Sequence, residues 1–109
     1  QYTLGVDRDN ELAADWFRTL HPAVLRSLKK ILDAAEKYST PTIICGEMAG
    51  SHVYAPILVG LGVTELSMHV NAMPRIRQVI SNIAYEEARE IIKALESCRA
   101  ADEVEREVR

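Results

Sequence analysis

The chain switches repeatedly between β-compatible runs and helical patterns, and this alternation limits its fold more than any other feature. Short β-compatible runs cover residues 2–6, 42–45 and 64–68, and apolar residues recur at helical spacing between and after them. The run 42–45 is β-branched or apolar throughout, as in a strand buried on both faces of a parallel sheet. The order β, α, α, β, α, β, α, α predicts parallel strands joined by right-handed crossovers.

The helical segments are predicted from apolar spacing and from the residues that punctuate it. The strongest pattern begins at Pro22 and should end near Tyr38, because its apolar residues form one stripe and its charged residues lie opposite. The charged segment 100–109 should either extend the helix before it or fray. Four further helices are predicted, over residues 12–20, 54–61, 71–80 with Asn71 as its cap, and 84–95.

Length decides between a complete fold and a part of one. An eight-stranded α/β barrel needs about 250 residues, or roughly 31 for each strand and helix unit. The 109 residues of the chain correspond to about three and a half such units. The prediction is therefore an α/β fold in which residues 1–109 form one incomplete domain, a piece of a (β/α)8 TIM barrel.

Charge and hydropathy argue against several classes of function. The net charge is −3 and basic residues do not cluster with aromatic ones, so the sequence predicts neither nucleic acid nor an anionic membrane as a partner. The longest apolar run, residues 54–63, is far shorter than the roughly 20 residues that cross a bilayer, and Gln1 does not open a signal peptide. Two cysteines are too few for a disulfide framework, which favours a cytoplasmic location.

Four motifs connect the chain to a known family. They are the QYTL and DRDN stretches of residues 1–10, HPAVL at 21–25, CGEMAG at 45–50, and GLG followed by ELSM within 60–68. With these motifs the chain resembles enzyme I of the bacterial phosphoenolpyruvate-dependent phosphotransferase system, and equally its nitrogen-branch paralogue, over about residues 1–95. The resemblance implies the C-terminal part of the phosphoenolpyruvate-binding barrel.

The resemblance also implies an activity, a cofactor and partners. In this family phosphoenolpyruvate donates its phosphoryl group to a histidine of the enzyme, leaving pyruvate, and the group then passes to a histidine phosphocarrier protein. Magnesium is the family's cofactor, and the enzymes are homodimers through this domain. The phosphorylated histidine and the magnesium carboxylates precede the position of Gln1 in the family, so the chain alone is expected to be inactive.

Cys45 is the candidate catalytic residue. It ends the run 42–45, and its thiol would therefore lie at the mouth of a barrel. Protonation of an enolpyruvate at C3 needs an acid, and an ordinary thiol with a pKa of about 8.5 keeps its proton at neutral pH. From the residues alone, an inert buried cysteine is the alternative. The resemblance implies that Cys45 is the proton donor.

Arg8 is the candidate substrate-binding residue. It follows the carboxyl end of the first β-compatible run, and a guanidinium can hold a phosphoryl group with two hydrogen bonds. An ion pair with a neighbouring carboxylate is the alternative. The resemblance implies a phosphate-binding arginine at Arg8, although the family usually has glycine where this chain has Asp9, and that carboxylate could compete for Arg8.

Two residues that follow Cys45 are candidates for supporting it. Gly46 would permit tight loop dihedral angles or the close approach of a ligand, and Glu47 would orient the thiol or accept a hydrogen bond. The alternative for Glu47 is a loop carboxylate in solvent. The family usually has aspartate at the position of Ser51, so a loop with Ser51 is expected to be held by fewer hydrogen bonds.

The histidines and the second cysteine are assigned no chemistry. His21 should lie at the start of a helix, and His52 and His69 lack the carboxylate or cysteine partners of a zinc site, so no metal is predicted. Cys98 lies on a polar helix and is expected to be an incidental, exposed thiol.

Two alternative functions stay open. Pyruvate-phosphate dikinase and phosphoenolpyruvate synthase share the Cys-Gly start of the 45–50 motif but lack the HPAVL stretch. The other alternative is a catalytically silent module for assembly or dimerisation. Apolar side chains of an incomplete barrel would stay exposed, which predicts at least a dimer in solution.

Overall fold

The computed structural model describes residues 1–16 and 18–108, and it is predominantly helical there. Five α-helices lie in this part of the chain: α1 Pro22–Lys37, α2 Ala55–Gly60, α3 Met73–Ser81, α4 Tyr85–Glu96 and α5 Ala101–Val108. Three short 3-10 helices cover Glu11–Trp16, Glu47–Gly50 and Val70–Ala72. Among the described residues, no helix combines the length and the apolar character that crossing a membrane requires.

The predicted α/β architecture is wrong, because the described residues contain no β-strand and no sheet. The run 2–6 contains turns at residues 2–5, and the runs 42–45 and 64–68 contribute one isolated parallel bridge between Ile44 and Leu66. Parallel strands are stable when further strands flank them and helices cover both faces. The two short runs 42–45 and 64–68 have no flanking strands and no helices over both faces of a sheet. Their β-propensity alone therefore does not produce a strand among the described residues.

Helix α1 forms as the sequence predicts. His21 has extended backbone angles and its Nδ1 accepts a hydrogen bond from the backbone N–H of Ala23 at 3.1 Å, while Pro22 occupies the first turn. The helix ends at Lys37 with Tyr38 as its C-cap. The structural role of His21 and the end near Tyr38 are therefore confirmed.

Two of the other helices differ from their predictions in where they begin or how far they extend. The helix predicted over 12–20 is a 3-10 helix over Glu11–Trp16, and Phe17 of that prediction lies outside the described residues. The cap predicted at Asn71 is wrong: Nδ1 of His69 accepts from the Asn71 N–H at 3.3 Å, which starts the 3-10 helix before α3. Histidine therefore caps two helical segments of this chain.

Helices α2 and α4 approach each other closely. Gly60 makes this possible, because a Cβ at that position would lie 2.8 Å from the carbonyl carbon of Ala88 and 2.8 Å from Cγ1 of Ile92. Ala88 itself is fully buried, and so are Ile57 and Leu58 of α2. Small residues at the crossing let the two backbones meet, and the larger apolar side chains around it exclude water.

Helix α5 neither extends α4 nor frays. Val104 is fully buried in a cluster with Leu20 and Leu95, although most of the residues around it are charged. Nη1 of Arg18 donates to Oε1 of Glu105 at 2.8 Å, and Nη2 of Arg26 donates to the carbonyl oxygen of Cys98 at 3.1 Å. Val104, the partly buried Val108 and the contact of Arg18 with Glu105 attach α5 to the N-terminal part of the structure, and the Arg26 contact holds the connection that precedes α5.

Candidate functional site

The candidate site is the Cys45 loop, defined here as residues 45–52, which follows the bridge residue Ile44 directly. The backbone N–H of Ile44 donates to the carbonyl oxygen of Glu65 at 3.1 Å, and the N–H of Ser67 donates to that of Ile44 at 2.8 Å. The next residue, Cys45, has an exposed and free thiol. The burial expected under the alternative of an inert cysteine is therefore wrong, and the role of Cys45 as a proton donor stays a prediction.

Gly46 sets the direction of the loop. Its φ of +82° and ψ of −170° lie in a region that is open essentially to glycine alone. Its carbonyl oxygen accepts a hydrogen bond from the N–H of Ala49 at 3.2 Å, which closes the first turn of the 3-10 helix Glu47–Gly50. The special backbone angles expected of Gly46 are confirmed, since they turn the chain immediately after the thiol.

The middle of the loop is packed against the segment that precedes α3. Ala49 is completely buried, and a Cβ on Gly50 would lie 3.5 Å from Cβ of Ala72 and 3.7 Å from Cβ of Met68. Glu47 by contrast is exposed, and its carboxylate makes no hydrogen bond or ion pair with the described part of the chain. This position corresponds to the solvent-facing alternative for Glu47.

Arg8 lies in the turns of the N-terminal segment. Its backbone N–H donates to Oε1 of Gln1 at 2.9 Å, and its Nε lies 3.9 Å from Oδ1 of Asp9, with both side chains largely exposed. The structure thus forms the competing ion pair that the sequence suggests. Within residues 1–16 and 18–108, no hydrogen bond or ion pair joins Arg8 to the Cys45 loop.

The end of the loop has a contact that sequence reasoning missed. Nη2 of Arg75, in the first turn of α3, lies 3.1 Å from Nε2 of His52. The two residues are 23 positions apart, and neither belongs to a motif whose chemistry would have linked them. The sequence does show that Arg75 lies near the start of the helix after the run 64–68. Its spacing from His52 does not indicate that the two side chains meet.

The donor set of the loop does not fit magnesium. Across the described residues, no group of three or more histidine, cysteine, aspartate or glutamate side chains is arranged to hold a metal ion. Magnesium prefers several carboxylate and water oxygens, whereas this loop offers one exposed carboxylate, a thiol and an imidazole. The loop by itself therefore lacks the donors of a magnesium site.

Two surface grooves lie away from the loop. An apolar groove of about 390 Å³ runs between α2, the bridge segment and α3, lined among others by Val63, Leu66 and Ile76. A polar cleft of about 760 Å³ lies between α1 and α4, with Lys29 and Arg89 among its charged residues. Neither Cys45 nor Arg8 lines these two grooves.

Comparisons with known proteins match almost the whole chain. Residues 1–85 match the family described as PEP-utilising enzyme, PEP-binding domain, PEP being phosphoenolpyruvate. A Salmonella typhimurium protein named "Phosphoenolpyruvate-dependent phosphotransferase system" is 38% identical over 108 residues, which are 99% of this chain and 14% of that protein.

Two further relatives are named "Phosphoenolpyruvate-protein phosphotransferase". The one from Haemophilus influenzae is 38% identical over 89 residues, 82% of this chain and 16% of the relative. The one from Chlamydia pneumoniae is 39% identical over 105 residues, 96% of this chain and 18% of the relative. The chain thus spans less than a fifth of the length of these relatives. The family resemblance in its motifs is confirmed, and the chain belongs to the family of phosphoenolpyruvate-utilising enzymes through their phosphoenolpyruvate-binding domain.

Proposed function

We propose that the chain is the C-terminal part of the phosphoenolpyruvate-binding domain of an enzyme I-type phosphotransferase. Such an enzyme transfers the phosphoryl group of phosphoenolpyruvate to one of its own histidines and then to a histidine phosphocarrier protein. The family match over residues 1–85 carries this proposal. The names of the relatives favour it over a dikinase or a synthase. Because the chain spans so little of the relatives, the activity belongs to a longer polypeptide, and the 109 residues alone are inactive.

Cys45 is the proposed proton donor of this reaction. When the bond between phosphorus and the enol oxygen breaks, the enolate of pyruvate remains. The thiol of Cys45 gives its proton to C3 of the enolate, so a C–H bond forms, the S–H bond breaks, and the thiolate recovers a proton from water. The exposed thiol and the turn at Gly46 support this role, because a substrate can reach the sulfur directly.

Arg8 is proposed to bind the phosphoryl group of the substrate. Its side chain is 61% exposed and its ion pair with Asp9 is long, so the guanidinium can exchange that partner for a phosphate. Glu47 is proposed to orient the thiol of Cys45 or to accept a hydrogen bond from the loop backbone.

Three further properties are proposed from the family resemblance. Magnesium serves the parent enzyme through residues other than those described here. The enzyme works in the cytoplasm, which the two free cysteines support. The chain associates as a homodimer or a higher oligomer, and the apolar groove beside α3 supports this, because Met73 and Ile80, which line it, are exposed to water.

A chimera tests the proposed function. This chain would replace the matching segment of the Haemophilus influenzae relative, and pyruvate release from phosphoenolpyruvate would be measured. We expect activity in the chimera, and loss of turnover without loss of substrate binding in Cys45→Ala, because a proton donor acts in the transition state. Cys98→Ala is the matched control and should keep activity. An inactive chimera that binds substrate would contradict the enzyme assignment, and near-normal pyruvate release by Cys45→Ala would contradict the role of Cys45.

A further inference from the structure

We infer that Arg75 is a positioning residue for the Cys45 loop and that it acts through His52. The inference rests on the proposed role of Cys45, because a loop needs to be held in place only if its thiol must meet a substrate. Arg75 is not a catalytic residue in this view, since it contacts the end of the loop and not the sulfur.

One segment, residues 65–75, holds the Cys45 loop along its length. At the start of the loop, Glu65 and Ser67 make the two backbone hydrogen bonds of the bridge with Ile44. In the middle, Gly50 packs against the Met68 and Ala72 side chains. At the end, Arg75 reaches His52. The position of Cys45 therefore depends on 65–75 at three points, of which the last is a side-chain contact.

The hydrogen bond between these two side chains has a defined direction. A guanidinium is protonated at every physiological pH and can only donate, so Nε2 of His52 must accept. The contact therefore requires the tautomer whose N–H is on Nδ1. Glutamine at position 52 offers an acceptor oxygen of similar reach, whereas alanine offers none.

The other side chains of the loop are held by packing: Met48 contacts the apolar clusters that contain Ile57 and Leu58, and Ala49 is buried. The hydroxyl of Ser51 makes no hydrogen bond with the described residues, although its carbonyl oxygen accepts from the N–H groups of Tyr54 and Ala55 at 3.2 and 3.0 Å. In the part of the chain that the structure describes, the His52 to Arg75 contact is the one side-chain hydrogen bond of residues 45–52. Removing it leaves the end of the loop attached through backbone bonds alone.

Amide hydrogen exchange of the 109-residue chain tests the physical part of the inference. In Arg75→Ala, we expect the amides of Ala49 and Ser51 to exchange about threefold to tenfold faster, while the amides of α4 keep their rates. Arg77→Ala is the matched control, because Arg77 is an exposed arginine of the same helix without a hydrogen bond among the described residues. It should leave the loop unchanged.

Variants of His52 test whether Arg75 acts through it. His52→Ala should reproduce the faster exchange, the double variant with Arg75→Ala should add nothing further, and His52→Gln should restore slow exchange. Additive effects of the two alanine variants, or unchanged loop amides in Arg75→Ala, would overturn the inference.

The chimera described above tests the link to chemistry. Arg75→Ala should lower kcat by a factor similar to the change in loop opening and leave KM for phosphoenolpyruvate unchanged, and His52→Gln should keep kcat near that of the parent. An unchanged kcat in a variant whose loop has loosened would overturn the positioning role. The proposed function fails by a different result, an inactive chimera that still binds substrate, and the role of Cys45 fails by retained turnover in Cys45→Ala, so these failures are distinguishable from that of Arg75.

Discussion

The Cys45 loop and the helical core, which consists of α2, α4 and α5, are built in opposite ways. The core buries Ile57, Leu58 and Val104 completely, so its stability comes from apolar packing. The loop exposes Cys45 and Glu47, and it is held by backbone angles, a few hydrogen bonds, one buried alanine and the partly buried side chain of Met48. The candidate chemistry and most of the packing are therefore separate, and changes in one region should affect the other only weakly.

The two cysteines differ in the same way as the two regions, because the loop cysteine is exposed and the core cysteine is buried. Cys45 is exposed, whereas Cys98 is 5% exposed and its thiol lies 3.8 Å from the carbonyl oxygen of Ala94. Burial raises the pKa of the Cys98 thiol above its ordinary value, and the nearby carboxylates of Glu103 and Glu107 raise it further. The expectation of an exposed Cys98 is therefore wrong, because α5 folds back over it.

The largest expected effect is a loss of stability in the core from Gly60→Ala. A new Cβ would meet the backbone of Ala88 and the side chain of Ile92. This cost exceeds the gain in helix propensity of about 1 kcal/mol, and we expect a net loss of about 3 kcal/mol in the free energy of unfolding, measured by urea denaturation. Gly50→Ala is the control and should change stability by less than about 1 kcal/mol, because its Cβ contacts have ordinary lengths. Equal stability of the two variants would show that α2 and α4 do not pack so closely.

The next effect separates the two thiols by their reactivity. Iodoacetamide should alkylate Cys45 roughly a hundredfold faster than Cys98 in the folded chain, since Cys98 needs a local opening and its raised pKa leaves less thiolate. Mass spectrometry of digested protein measures both rates. In denaturant the rates should converge, and a large difference that persisted there would contradict burial as the cause.

A smaller effect is expected from Gly46→Ala in the loop. The positive φ of Gly46 is costly for alanine although a Cβ there meets no atom within 4 Å, so we expect a loss of about 1 to 2 kcal/mol. Hydrogen exchange should show the loss at Ala49 and Ser51 and not in α4. Exchange that rises equally in α4 would mean that loop and core are coupled.

The smallest effect concerns the start of α5 in acid. Backbone N–H groups of Arg99, at 2.7 Å, and of Ala100 donate to the Glu103 carboxylate and lower its pKa from the usual 4.5. The folded state therefore binds this proton less readily than the unfolded state. The contribution of Glu103 is complete above pH 4.5 and is lost as the pH falls through the lowered pKa.

Thermal unfolding as a function of pH measures this contribution. Glu103→Gln should unfold at a lower temperature than the parent near pH 6, and the difference should shrink below pH 4.5. Glu107→Gln serves as the control on the same helix. A difference for Glu103→Gln that stays constant from pH 6 to acid would contradict the role of its charge.

Local periodicity predicts the helices of this chain well and its long-range pairings poorly. Helices α1, α2 and α4 follow from apolar spacing, and proline in the first turn also marks the start of α1 and of α2. Helix α5 was missed as a core element because one valine among charges carries little periodic signal. The strands were predicted wrongly because residues with high β-propensity form a strand only when they pair with neighbouring strands. Such partners lie far apart in the sequence, so local patterns do not reveal them.

The candidate site shows the same division. The position of Cys45 after a β-compatible run and the special angles of Gly46 were readable from the sequence, since both depend on adjacent residues. The contact of His52 with Arg75 could not be predicted from the sequence, because no local pattern relates two polar side chains that are 23 residues apart. The lack of a hydrogen bond or ion pair between Arg8 and the Cys45 loop, within the described residues, could not be predicted from the sequence either.

The single bridge between Ile44 and Leu66 has a consequence for the order of folding. It closes a stretch that contains all of α2, and it provides only two backbone hydrogen bonds against the entropy of that closure. Such a contact forms readily only after α2 has docked on α4 and brought the two runs together. We therefore expect Cys45 to reach its final position among the last events of folding and to lose it among the first events of unfolding.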